Sequence, residues 1–174
     1  TGAAQYYRDA KILTIYEGTT AIQANDLVGR KTARDGGQTA KAIASQIEQT
    51  EKQLKAHSDA RCHAVAKRLS AAREAFLDVV EFFVAESKSN PNAVYAGSVP
   101  YLMLAGNLMS GWQMGRAMLV ALEHIAKNDD VAFMQAKVTT ARFYADHILC
   151  KAPGLRDSII AGADSVTEMA LEAF

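Results

Sequence analysis

Several things that would narrow the function are scarce in this chain. Of 174 residues only Cys62 and Cys150 are cysteine, and they stand far apart. Two distant cysteines fit free buried thiols in a reducing compartment better than a disulfide scaffold, so the expected location is cytoplasmic. Charge of one sign is also missing: 19 basic residues balance 19 acidic ones, which leaves no footprint for a nucleic acid or an anionic membrane surface. No apolar run approaches the ~20 residues that a bilayer requires. The most apolar stretch, residues 98–127, is interrupted by Asn107, Gln113 and Arg116, and reads as a central bundle helix. There is no initiator Met, no signal peptide and no glycine-rich nucleotide fingerprint, and the chain is expected to be a C-terminal piece of a longer protein. With only three prolines and 49% hydrophobic residues, what remains is helical periodicity nearly throughout and no convincing strand, so the fold class is all-α.

The best boundary is Asp35-Gly36-Gly37-Gln38, because two consecutive residues without Cβ stop a helix and permit a change of direction. It divides residues 1–37 from residues 38–174. Before it, 1–16 reads as the tail of a helix and 20–34 as another, with Ala21, Ala24, Leu27 and Val28 on one side. After it, 39–56 is weakly amphipathic, with Ala40, Ile43, Ile47 and Leu54 inside and Glu48, Glu51, Lys52 and Lys55 outside. The next helix is clearer: Cys62, Val65, Leu69, Ala72, Phe76, Val79 and Phe83 alternate steps of three and four, a continuous seam, with Ser58 or Asp59 as its cap. A polar turn at 87–92 ends it, where Pro91 prevents continuation. Within 98–127, Gly106, Gly111 and Gly115 would admit a close neighbour and the methionines would fill gaps. Asn128, Asp129 and Asp130 make a turn and N-cap for a last long helix that ends by Pro153-Gly154, followed by a short tail. Residues 38–174 therefore read as a four-helix up-and-down bundle.

The chemistry concentrates at Tyr16-Glu17-Gly18-Thr19-Thr20. Ile12 and Ile15 form the apolar face of a short helix, Gly18 breaks it, and Thr19 or Thr20 can cap the next. Glu17 is thus a carboxylate at a helix junction, beside free backbone N–H groups that could hold a substrate oxygen. On spacing alone an ordinary surface glutamate in a helix–loop–helix remains open. Other groupings carry less. His57, Cys62 and His63 could be called a metal cluster, but on one helix His57 and Cys62 would lie five apart and point in different directions, so no metal is assigned. His124 and His147, like Tyr6, Tyr7, Trp112, Phe143 and Tyr144, suit core or interface roles.

Arg8-Asp9-Ala10-Lys11-Ile12, Ile15-Tyr16-Glu17-Gly18-Thr19, Ile22-Gln23 and Val28-Gly29-Arg30 resemble the end of the catalytic domain of flavin-dependent acyl-CoA dehydrogenases. The resemblance implies that Glu17 abstracts the α-proton of an acyl-CoA thioester while hydride leaves the β-carbon for FAD, and that its backbone N–H helps hold the thioester carbonyl. It implies Gly18 at the substrate, Thr19, Thr20 and Ala21 toward FAD, Arg8 and Asp9 in support, and electron-transferring flavoprotein as the usual partner of a homo-oligomer. A thioester α-hydrogen is far less acidic than a carboxylic acid, so the base must be desolvated and the carbonyl polarised by fixed donors. The family holds its flavin mostly with a β-domain and earlier helices, so this chain alone is expected to be inactive and colourless.

Gly97-Ser98-Val99-Pro100-Tyr101-Leu102, Gly111-Trp112 with Arg116-Ala117, and Ala161-Gly162-Ala163-Asp164-Ser165-Val166 resemble the additional C-terminal domain of a subgroup of bacterial acyl-CoA dehydrogenases, among them those acting on 3-methylmercaptopropionyl-CoA. Two functional classes follow: an oxidoreductase segment, or a non-catalytic helical module that caps an enzyme or mediates subunit contact. In either, Ile12, Ile15, Ile22, Leu27 and Val28 form an apolar stripe that is expected to dock on the chain's own bundle or, preferentially, on a second copy.

Overall fold

The computed structural model describes residues 2–16, 18–166 and 168–173, and the backbone alone at 14–16 and 171. Helix α1 (Ala3–Tyr16) is followed by α2 (Thr20–Asp26), which runs directly into a π-helical segment, Leu27–Ala33. Then come α3 (Gln38–Ala56), α4 (Ala60–Glu86), the short α5 (Pro91–Ala96), α6 (Ser98–Ala126), α7 (Val131–His147) and, after a 3₁₀ turn at Leu149–Lys151, α8 (Ala152–Ile160). Among the described residues there is no strand.

Helices α3, α4, α6 and α7 form the bundle, with α4 and α6 in the middle, each packed against both α3 and α7. The first residues of α3 lie against Val80 and Val84 late in α4, and the end of α6 faces Phe133 and Met134 early in α7, so chain neighbours run antiparallel. Arg61 and Gln135, at the starts of α4 and α7, share a hydrogen bond of 3.3 Å, so those two helices run in the same direction. This is an up-and-down bundle, with α8 laid across α4 and α6. Its centre is the seam of α4, where all seven positions from Cys62 to Phe83 named above are buried. Each fully buried Leu, Val or Phe there contributes about 1.5–3 kcal/mol relative to exposure. Gly111 and Gly115 let neighbours close on α6: a Cβ at Gly111 would sit 2.6 Å from Leu149, and one at Gly115 3.1 Å from Leu54. Gly106 faces nothing within 4 Å, so its expected close approach is absent.

Other departures have local causes. Glu51, expected outside, is 1% exposed, because Arg73 of α4 reaches it with two hydrogen bonds of 2.7 and 3.2 Å. Pro91 and Pro153 do not merely end helices; each opens one, at the first turn of α5 and of α8, where a missing N–H costs nothing. Asn90 caps α5 through the Ala93 N–H. Asp59, one of the two candidates, caps α4 by accepting from the Arg61 N–H at 2.8 Å. Asp130 offers α7 no side-chain cap; instead Asn128 and Asp130 turn the chain with positive φ of 57° and 41°. At the diglycine, φ is 67° for Gly36 and 76° for Gly37, and the Asp35 carboxylate accepts from the N–H groups of Gly37 and Thr39 at 3.0 Å each. A Cβ on Gly37 would come within 2.6 Å of Val80, so this corner is fixed by space as well as by conformation.

Candidate functional site

Glu17 lies outside the described residues. Its neighbours are visible. Gly18 has φ of 92°, a conformation that favours glycine, and a Cβ there would meet nothing closer than 3.9 Å, so the demand is conformational rather than steric. Thr19, the first of the two candidate caps, is extended and its hydroxyl accepts from the Ile22 N–H at 3.2 Å. Gly18, Thr19, Thr20 and Ala21 are brought together in one corner, and all four are exposed. They could form one wall of a flavin or thioester site and do not by themselves enclose either. A depression of about 450 Å³ between this arm and α6 is lined by Gln23, Asp26, Leu27, Lys31 and Leu102.

The N-terminal side of the corner has little support. Every described side chain of α1 is exposed, including Tyr6 at 79%, Tyr7 at 75% and Ile12 at 51%. Arg8 and Asp9 do not pair directly; Gln5 bridges them, accepting from Arg8 at 2.9 Å and donating to Asp9 at 2.7 Å. The C-terminal side is different. Ala24, Val28 and Thr32 are buried against the bundle, so the stripe is covered in part by the chain itself, whereas Ile22 stays 60% exposed. The Thr32 and Tyr101 hydroxyls are hydrogen-bonded at 2.9 Å. Tyr101 is held by Phe76, stacked at 5.6 Å, and by Phe83, edge-on at 4.9 Å. Burial pushes its phenol up to about 12, so it stays a neutral hydrogen-bonding group. Sequence reasoning did not single out Thr32; the signal was there in its place four residues beyond Val28 and eight beyond Ala24.

Elsewhere the side chains do little chemistry. Among the described residues no three His, Cys, Asp or Glu side chains converge. His57 accepts from the Asp59 N–H, His63 meets the His57 carbonyl, and His124 meets Asp129 at 2.7 Å. His147 stacks on Phe143 at the surface, outside the core. Burial pushes the Cys62 thiol up, which disfavours the reactive thiolate, and neither cysteine is in a disulfide. No helix among the described residues is long and apolar enough to cross a membrane.

Residues 40–170 match the family model described as "Acetyl-CoA dehydrogenase C-terminal like". The chain belongs to this acyl-CoA dehydrogenase C-terminal family. It is 47% identical to the 3-methylmercaptopropionyl-CoA dehydrogenase of Ruegeria pomeroyi, over 98% of this chain and 29% of that protein. It is 34% identical to the broad-specificity linear acyl-CoA dehydrogenase of Mycobacterium tuberculosis, over 98% and 29% respectively, and 29% identical to the butyryl-CoA dehydrogenase of Syntrophomonas wolfei, over 98% and 28%. The chain thus spans less than a third of the length of these relatives. Two of the stretches that carried the resemblance to this C-terminal domain meet in space: Gly97 and Pro100 line one crevice of about 220 Å³ with Gly162, Ala163, Ser165 and Val166.

Proposed function

We propose that the chain contributes the proton-abstracting base to an FAD-dependent acyl-CoA dehydrogenase that forms an α,β double bond in an acyl-CoA thioester. Residues 1–37 are then the end of the catalytic helical domain and residues 38–174 an additional helical-bundle domain. What carries the reading is the Tyr16-Glu17-Gly18-Thr19 stretch, in a chain that aligns along 98% of its length with a 3-methylmercaptopropionyl-CoA dehydrogenase. The relatives' names span 3-methylmercaptopropionyl-CoA, linear acyl-CoAs and butyryl-CoA, so the proposal is drawn at acyl-CoA thioesters as a class.

In this reading the Glu17 carboxylate takes the α-proton and its backbone N–H donates to the thioester carbonyl. General-base catalysis of this kind contributes about 10²- to 10⁴-fold, with carbonyl polarisation supplying at least as much. Gly18 lets the backbone approach the substrate, and Thr19, Thr20 and Ala21 border the flavin. FAD, when bound, supplies the hydride acceptor. Electron-transferring flavoprotein is the proposed redox partner, and the enzyme is proposed to be a cytoplasmic homo-oligomer. Because residues 18–21 stand open, this chain alone is expected to be inactive and to purify without flavin. A second reading, a non-catalytic module for subunit contact or capping, is favoured by the exposure of Tyr6, Tyr7, Ile12 and Leu13 on α1.

The test is Glu17→Gln in the full-length enzyme. The amide keeps the shape and removes the base, so FAD and acyl-CoA binding should persist while dehydrogenation falls by several orders of magnitude. Near-normal turnover would sink the assignment.

A further inference from the structure

We infer that Thr32 and Tyr101 are positioning residues for the Glu17 corner, an inference that rests on the reading of Glu17 as the base. Helix α2 and the π-helical segment form one unbroken rod: at their join the Leu27 N–H still bonds to the Ala24 and Gln23 carbonyls. The first turn of this rod carries Thr20 and Ala21, with Gly18 and Thr19 immediately before it, and its far end carries Thr32. Because α1 has no buried side chain among those described, the placement of the corner depends on what grips the rod.

The grip is a row of three residues, Ala24, Val28 and Thr32, which are 0%, 1% and 1% exposed. In an α-helix of 3.6 residues per turn, steps of four drift steadily round the axis. The wider π turn, marked here by the Arg34 N–H bonding back to Gly29, offsets that drift and returns Thr32 to the face of Ala24. Ala24 and Val28 make apolar contacts, which resist separation and resist sliding less. Thr32 makes a directional one, the 2.9 Å bond to a Tyr101 hydroxyl that is itself immobilised between Phe76 and Phe83. Gly29 lets the neighbouring α5 approach the same rod, with the Tyr95 hydroxyl 2.8 Å from where a Cβ would stand. On the bundle side, the directional part of this grip is therefore one hydroxyl pair, at the opposite end of the rod from the chemistry.

The experiment uses the full-length holoenzyme with Thr32→Val, Tyr101→Phe, the double variant, and Thr32→Ser. Misplacement of a reacting group by about 1 Å can cost on the order of 10²-fold, so each single change should lower kcat by roughly tenfold or more and displace the base limb of its pH profile, with KM changing less than twofold. Each should also lower the melting temperature, because a buried hydroxyl loses its partner. In the double variant no hydroxyl is stranded, so the melting temperature should recover while kcat stays low; Thr32→Ser should restore both. If kcat recovers together with the melting temperature in the double variant, or is normal in the single ones, the pair is structural only and the inference is wrong. Glu17→Gln in the same series separates the two failures: a dead Gln variant beside fully active Thr32→Val overturns positioning alone, while an active Gln variant removes the base and this inference with it.

Discussion

In α4 each step of three or four from Cys62 to Phe83 lands on a side chain shut off from water, whereas in α1 no described side chain is buried at all. The two helices are comparably apolar to the eye, yet one is the axis of a core and the other keeps every described side chain exposed. A helix as short as the 14 residues of α1 is marginal in water without tertiary support. The bundle thus carries a buried core, and the described part of the arm joins it only from Ala24 onward. The segment with the candidate chemistry is the segment whose apolar surface is least satisfied, as expected where a site is completed by surfaces that meet at it.

The sharpest test of that contrast is the ion pair inside the bundle. Arg73→Leu would strand the Glu51 carboxylate, which is 1% exposed, and should cost about 3–5 kcal/mol, read as a lowered urea midpoint. Adding Glu51→Leu should recover most of it. A loss below about 1 kcal/mol for the single change would mean that water reaches the seam and the bundle is less closed than it looks.

A smaller effect is expected at the cap of α4. Asp59→Ala should cost about 1 kcal/mol at neutral pH. The hydrogen bond from the Arg61 side chain, chief among several causes, holds the Asp59 carboxyl down to about 2, against an ordinary 3.8. A depressed carboxylate stabilises the fold above its unfolded pKa and loses that contribution as pH falls through the folded one. The gap between parent and variant should therefore close between about pH 4 and pH 2; a gap that persists at pH 2 would assign the effect to packing instead.

The least effect belongs to the arm. Tyr7→Ser combined with Leu13→Ser should change the unfolding of the bundle by less than about 0.5 kcal/mol, as for surface sites generally. The same pair should lower any self-association seen by light scattering. A thermal shift comparable with that of Asp59→Ala would show that α1 packs on the bundle in solution.

The bundle was legible wherever burial is periodic: the α4 seam, the apolar 98–127 stretch and the glycine corner all follow from spacing or from backbone freedom. What could not be read was pairing at a distance. Glu51 was placed outside because a charged residue on an amphipathic helix ordinarily is, and its partner lies 22 residues away on the next helix. Thr32 stands at the spacing that continues Ala24 and Val28, but its bond to Tyr101, 69 residues away, has no signature in the sequence. The helices do end before the two prolines as expected; what went unread is that each proline also opens the next helix, because the residue that prevents one helix from continuing is equally suited to begin another. Of the corner, the break at Gly18 and the cap at Thr19 were legible in the residues; the roles of Gly18, Thr19, Thr20 and Ala21 came from resemblance and remain proposals.

The Glu51–Arg73 pair has a further consequence for how the chain finds its fold. Of the buried side chains of α3, Ala40, Ala44, Ile47 and Leu54 are apolar, and apolar contact is non-directional, so α3 could slide along α4 by a helical turn and still bury apolar area. A slipped arrangement would leave a carboxylate in the dry seam without its guanidinium. The pair therefore acts as an index mark between two otherwise forgiving helices, and its worth lies less in what it adds to the native state than in the misaligned bundles it makes untenable.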